Sequence, residues 1–259
     1  MMRKTFAKIH LWLSIPLGVI ISIICFTGAI LVFEKEITQW VAPDLNRQEV
    51  RTSDEDRKPS ASRTTAYAPN QKSMLAEHGK MPEMKQSKGR PKSLPFFREV
   101  KKLHRWLLNP PAKKGEKSVG KVIVGVTTLL MVFILISGLV IWIPRTARSL
   151  KNRLKVSCSK GSRRFWYDTH VALGFYATLF LILMALTGLT WSFGWFREMA
   201  YGLFGGDPSL KATFYALHTG SWGGITTKIL YFIASLIGGM LPLTGYYLWW
   251  KRTHPKKQG

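Results

Sequence analysis

Residues 166–196 read WYDTHVALGFYATLFLILMALTGLTWSFGWF. After Asp168 no charged residue occurs until Arg197, and roughly 20 consecutive apolar residues are enough to cross the hydrocarbon of a bilayer. The stretch opens with His170 and carries a Thr187-Gly188 pair near its far end. An ionisable side chain at the mouth of such a helix is costly to keep there, which marks it as a functional candidate.

Counting the uncharged core of this stretch, residues 171–196, four runs share its character, the others being 11–33, 122–144 and 229–250. Each is long enough to span, with tilt absorbing any excess length. In lipid a helix satisfies its own backbone groups. The expected fold is therefore all-α, an integral membrane four-helix bundle. The average composition, 46% hydrophobic with a net charge of +24 over 259 residues, hides a segregation into apolar runs and very basic connections.

That charge does not point to nucleic acid, because of where it sits. Residues 145–164 hold Arg145, Arg148, Lys151, Arg153, Lys155, Lys160, Arg163 and Arg164 with no acid among them. A short basic loop between two spans marks the cytoplasmic side. Arg3, Lys4 and Lys8 at one terminus and Lys251, Arg252, Lys256 and Lys257 at the other agree, so both termini are expected inside. Anionic lipid headgroups are the partners that such patches attract. The opening MMRKTF and its apolar run exceed a signal-peptide core, and no small-residue cleavage site follows; the segment is read as an uncleaved span. Cys25 and Cys158 lie in different environments and suggest no disulfide.

In chain order the expected organisation is as follows. Residues 1–33 form the first span, with Pro16 in its early turns absorbed as a kink. Residues 34–93 form an extracytoplasmic loop, polar and rich in Pro, Ser, Lys and Arg over 46–93, too poor in apolar residues to offset its ordering entropy and so expected to be flexible; its His78 reads as a solvated residue. Residues 94–109 contain PFFREVKKLHRWLL, an amphipathic pattern placed as an interfacial helix that carries His104 beside Arg105 and Trp106. The second span covers 119–144, the basic loop 145–165 and the third span 166–196. A short connection, 197–221, holds the turn signal Gly205-Gly206-Asp207-Pro208. The fourth span covers 222–252 and a tail 253–259, in which His254 has no counterpart elsewhere.

The two halves of the chain repeat one another. His10 and Gly28 are 18 positions apart, and so are His170 and Gly188, which lays Thr27-Gly28 on Thr187-Gly188. In the second and fourth spans, Leu103-His104 falls on Leu217-His218, Ser137-Gly138 on Thr244-Gly245 and Trp142 on Trp249. The His-to-Gly separations there are 34 and 27, the difference being absorbed around residues 109–115. A duplicated two-span unit keeps both copies in one orientation, so the bundle consists of two parallel repeats about an axis along the membrane normal.

This symmetry pairs the histidines, His10 with His170 at the cytoplasmic level and His104 with His218 at the outer level. Two neutral imidazoles opposed across a gap are what a haem iron needs at its two axial positions. At 1.5 Å per residue, 18 residues carry Gly28 and Gly188 about 27 Å from their own histidines. They thus reach the level of the other pair, and Gly138 and Gly245 reach the cytoplasmic one. Each span so offers a ligand at one level and a side-chain-free notch at the other, where a flat ring can approach the backbone. Taken singly, each feature has a plainer reading: an interfacial histidine, small residues packing two helices, belt tryptophans. Their joint symmetry favours haem b, one or two per chain.

HLWLSIPLG with FTGAILVFE, LHRWL with SGLVIW, HVALGFY with LTGLTW, and LHTGSWGG with TGYYLWW resemble the PepSY-associated transmembrane family, which includes bacterial iron-uptake-linked membrane reductases. The resemblance covers the four spans and not the long loop, which is short and polar where members often carry folded PepSY modules. It implies a protein of the bacterial inner membrane, with His10, His170, His104 and His218 at the family's histidine positions. Such a protein binds b-type haem and passes electrons to a ferric siderophore or another Fe(III) chelate at the outer face. A ferric reductase activity follows from that resemblance; no residue is assigned a catalytic role. Bis-histidine ligation leaves no open iron position, which suits electron transfer. Arg105, Lys121 and Arg145 are candidates to meet haem propionates. No Gly-x-Gly-x-x-Gly follows a strand, so the electron donor is expected to be a quinol or a cytoplasmic reductase. Two other readings stay open. One is a haem-free accessory or assembly subunit. The other is a small metal-ion transporter, which the lack of acids within the spans weakens.

Overall fold

A computed structural model of the chain describes residues 2–43, 93–113, 116, 118–144, 146–159 and 161–254. The polar stretch 44–92 with His78, together with Arg145, Lys160, Lys256 and Lys257, lies outside the described residues. The helices are α1 (Met2–Val32), α2 (Glu34–Val41), α3 (Pro95–Trp106), α4 (Val119–Trp142), α5 (Ala147–Arg153), α6 (Ser162–Ser192), α7 (Gly194–Leu203), α8 (Leu210–Thr219) and α9 (Gly224–Thr253). A 3-10 turn, Ser221–Gly223, precedes α9. Among the described residues there is no strand.

Among the described residues four helices, α1, α4, α6 and α9 with its preceding turn, are long and apolar enough to cross a membrane. Their outward faces require it. Val19, Phe133, Leu179 and Ile233, one from each, are 58, 53, 74 and 46% exposed, an arrangement that lipid tolerates and water does not. The spans pack as a square: α1 lies against α4 and α9, and α6 lies against the same two. α1 therefore stands diagonal to α6, and α4 diagonal to α9, as a twofold axis down the bundle demands.

Ile21, Cys25, Met131, Leu135, Ala177, Leu181 and Ala234 fill the centre. Small residues let the spans close. A side chain at Gly18 would collide with Tyr246, whose hydroxyl donates to the Ile15 carbonyl at 2.6 Å. Ser22 donates to the Gly239 carbonyl at 2.8 Å, which satisfies its hydroxyl inside the bundle. Pro16 and Pro242 are both accommodated inside continuous helices.

Ends are capped from nearby. Ser118 accepts the Lys121 N–H and so starts α4. At the other end of α4, Arg153 donates to the carbonyls of Ile141 and Trp142 at 3.1 and 2.8 Å, and Arg3 donates to that of Ile143. Three segments differ from the sequence reading. Residues 34–41, expected to open the flexible loop, form α2. Residues 197–221 are not a plain connection, since α7 and α8 occupy most of them, and the basic loop contains α5. α3 packs on α1 and α4, and α8 packs on α6, so each copy of the repeat has a short helix before its second span.

Candidate cofactor site

The end of the bundle that carries both termini and the basic loop is called here the basic end. There His10, on α1, and His170, on α6, face each other across the diagonal with ring centres 6.4 Å apart and planes at 89°. At the far end His104, on α3, and His218, on α8, stand 6.3 Å apart with planes at 54°. With metal–imidazole bonds of about 2.0–2.1 Å, two rings sharing one ion have their centres roughly 6 Å apart. Either mutual rotation of the planes is admissible, because the rings turn freely about such a bond axis.

All four imidazoles are held alike. The His10 Nδ1–H donates to the Ile134 carbonyl and the Ser137 hydroxyl, both at 3.1 Å. His104 donates to the Ile24 carbonyl at 3.0 Å and to Thr27 at 3.1 Å. His218 donates to the Met184 carbonyl at 2.9 Å and to Thr187 at 3.2 Å. His170 donates to Thr244 at 2.8 Å and to the Leu241 backbone. Each carbonyl lies three residues before its hydroxyl residue on the neighbouring span. A carbonyl only accepts, so Nδ1 carries the hydrogen and the neutral ring keeps its lone pair on Nε2. Ser137, Thr187, Thr244 and Thr27 are themselves buried and donate their own hydrogens one turn back along the helix.

The glycine after each hydroxyl residue makes room for the ring. A Cβ at Gly188 would lie 3.1 Å from the His218 Cε1, at Gly28 3.2 Å from that of His104, at Gly138 3.3 Å from that of His10, and at Gly245 3.7 Å from that of His170. The Ser/Thr-Gly pair on each span is thus a seat for the histidine of a neighbouring element: hydroxyl and carbonyl hold Nδ1, and the bare Cα admits the ring edge. Burial keeps His104 uncharged, at a pKa of about 4, helped by His218 opposite; burial lowers His218 as well.

A cavity of about 830 Å³ opens beside the His10/His170 pair, within the roughly 300–1,000 Å³ range of sites that hold organic ligands. Its walls include Gly138, Gly245, Trp142 and Trp249, two symmetry-related couples. Trp142 stacks on Phe175 with centroids 3.7 Å apart. Among the described residues four cations, Arg153, Arg163, Arg164 and Arg252, also line it, and no acid does.

Of the other residues singled out in the sequence, Arg105 is exposed with its guanidinium 4.5 Å from the Trp106 ring centre, and Lys121 sits in the first turn of α4. Arg145 is not among the described residues. Sequence reading took Arg153, Arg163, Arg164 and Arg252 as markers of topology and as charge facing lipid headgroups, with Arg145 the one residue of the basic loop offered for a propionate, and so missed these four at the cavity. It also missed the role of Thr27, Ser137, Thr187 and Thr244, although the recurrence of a hydroxyl residue before each matched glycine was the available signal. Among the described residues no group of three or more His, Cys, Asp or Glu could cage a metal ion unaided.

The sequence profile of the family described as "PepSY-associated TM region" matches residues 7–213 and, in a second segment, 206–252. Comparison with curated proteins and with solved structures gives no match.

Proposed function

The chain belongs to the PepSY-associated transmembrane family, and from that premise we propose that it is a membrane electron-transfer protein with b-type haem at its two histidine pairs, serving the reduction of ferric iron, siderophore-bound or otherwise chelated, across the membrane. The pairing of the imidazoles carries this reading: centroid separations of 6.4 and 6.3 Å, every Nδ1 tied to a neighbouring span. Two imidazoles supply only two ligands. With no third His, Cys, Asp or Glu beside either pair among the described residues, a metal there takes its remaining ligands from outside the protein, and a porphyrin supplies four.

His10 and His170 would hold one group and His104 and His218 the other. At the basic end Arg153, Arg163, Arg164 and Arg252 suit anionic propionates, and at the far end Arg105 is the nearest such candidate in sequence to a proposed ligand. When bound, haem supplies a one-electron iron couple. The protein's part is to fix the imidazoles. Donation from Nδ1 to a carbonyl sets the tautomer, orients the ring and raises the basicity of Nε2. Two such imidazoles held on one haem would leave no position for oxygen, which suits electron transfer. Between the two levels lies the apolar cluster around Ile21, Met131, Leu135 and Leu181.

The basic end is proposed to face the cytoplasm of a bacterial cell, where a reductase, or a quinol from the membrane, donates electrons. Reduction serves iron release, since hard oxygen chelators favour Fe(III) over Fe(II). Purification in detergent after haem-replete expression tests the reading. A b-type α-band on dithionite reduction is expected; its absence would leave a haem-free accessory subunit.

A further inference from the structure

Beside the large cavity, between α5 and α6, lies a second pocket of about 340 Å³. Arg148, Arg153 and Arg164 line it together with Thr146, Ser149, Asn152 and Tyr167. Its single acid, Asp168, is buried and already engaged, by the Arg164 Nε at 2.9 Å and by the Ser157 N–H at 3.3 Å. The lining therefore keeps a net positive charge of about two. Arg153 is held in place by its bonds to the last carbonyls of α4, and such bonds leave a guanidinium fully charged. The Arg148 side chain has no hydrogen bond or ion pair among the described residues.

We propose that this pocket binds the phosphate-bearing headgroup of an anionic phospholipid. Guanidinium groups meet phosphate oxygens through paired, charge-assisted hydrogen bonds, and the hydroxyls and amide around them supply further donors. The surroundings favour a lipid over a free phosphate ion. Ile143, just past the end of α4, and Leu150, on α5, are 51 and 38% exposed and are close in sequence to the pocket's Thr146 and Ser149, and the last turn of α4 and the first turns of α6 meet at this level. Acyl chains entering the bilayer from here would cover apolar surface that water otherwise meets. Basic pockets between spans on the cytoplasmic side are a recurrent form of headgroup site. The inference rests on the pocket and on the proposed cytoplasmic placement of the basic end, and needs neither haem nor electron transfer.

Lys151 provides the control. It lies on α5 with Arg148, is exposed, and is absent from the pocket wall, so Arg148→Gln and Lys151→Gln remove the same charge from the same helix. Native mass spectrometry of the detergent-solubilised full chain, titrated with phosphatidylglycerol or phosphatidylcholine, reads retained lipid. The unaltered chain should keep phosphatidylglycerol in preference to phosphatidylcholine. Arg148→Gln should weaken that retention about tenfold, the loss of one charge-assisted pair, and Lys151→Gln less than about twofold. Equal losses in the two variants would mean a diffuse field and overturn the proposal, as would an unaltered chain that does not discriminate between the lipids. Displacement of phosphatidylglycerol by equimolar inorganic phosphate would overturn the lipid assignment in favour of the free ion.

Discussion

At the scale of the residue, the seat formed by a hydroxyl residue and its glycine explains why four unremarkable histidines are held so uniformly. Its glycines are not equivalent. An added methyl at Gly188 would press on the His218 ring at 3.1 Å, whereas one at Gly245 would touch His170 at an ordinary 3.7 Å. His218 cannot retreat without giving up its bonds to Met184 and Thr187. Gly188→Ala is therefore expected to lower haem retention at the far-end pair, and Gly245→Ala to leave the basic-end pair filled, as read by haemochrome assay of the purified variants. Thr187→Val leaves the carbonyl of Met184 to accept from His218 and removes both the hydroxyl's bond from His218 and its own donation one turn back along α6, at a cost of about 0.5–1.5 kcal/mol for each bond lost. A lowered melting temperature with the far-end haem still present checks that division of labour.

The element scale shows what the sequence made legible and what it hid. Four spans could be read from run length alone, because lipid demands apolar length. The levels of the histidines and glycines followed from helical rise and the 18-residue spacing. Which imidazole sits against which glycine did not follow, since that depends on the order of helices around the square, and periodicity carries no such information. The amphipathic pattern 94–109 was legible as a helix because lysines and arginines alternate with apolar residues there. Its counterpart α8, LKATFYALHT, has one lysine and no clear polar stripe, so the same device in the second repeat passed for a connection.

That difference can be tested. Ala216→Pro, in the interior of α8, removes a helical hydrogen bond and costs about 3 kcal/mol locally; it should release His218 and empty the far-end site while the basic-end site keeps its haem. Equal retention at both sites in that variant would show that α8 does not position His218.

For the molecule as a whole, the twofold repeat turns one structural unit into two sites at opposite ends of a bundle. α1 contributes His10 at the basic end and the Thr27-Gly28 seat at the far end, and α6 does the same with His170 and Thr187-Gly188. Damage to one span thus reaches both levels, whereas loss of one histidine should reach only one. Variants lacking His170 should insert normally, because the spans are set by their apolar length and by contacts such as Ser22 with Gly239, and should lose one haem equivalent.

The pairing itself is tested most directly by haem stoichiometry across double variants, measured as pyridine haemochrome per chain. The unaltered protein should hold two haems. His10→Ala, His170→Ala and the two combined should each hold one, because both residues serve the same site. His10→Ala combined with His104→Ala should hold none. Were the His10/His170 double variant to keep both haems, or to lose more than either single variant, the histidines would not act as facing pairs and the account would be contradicted.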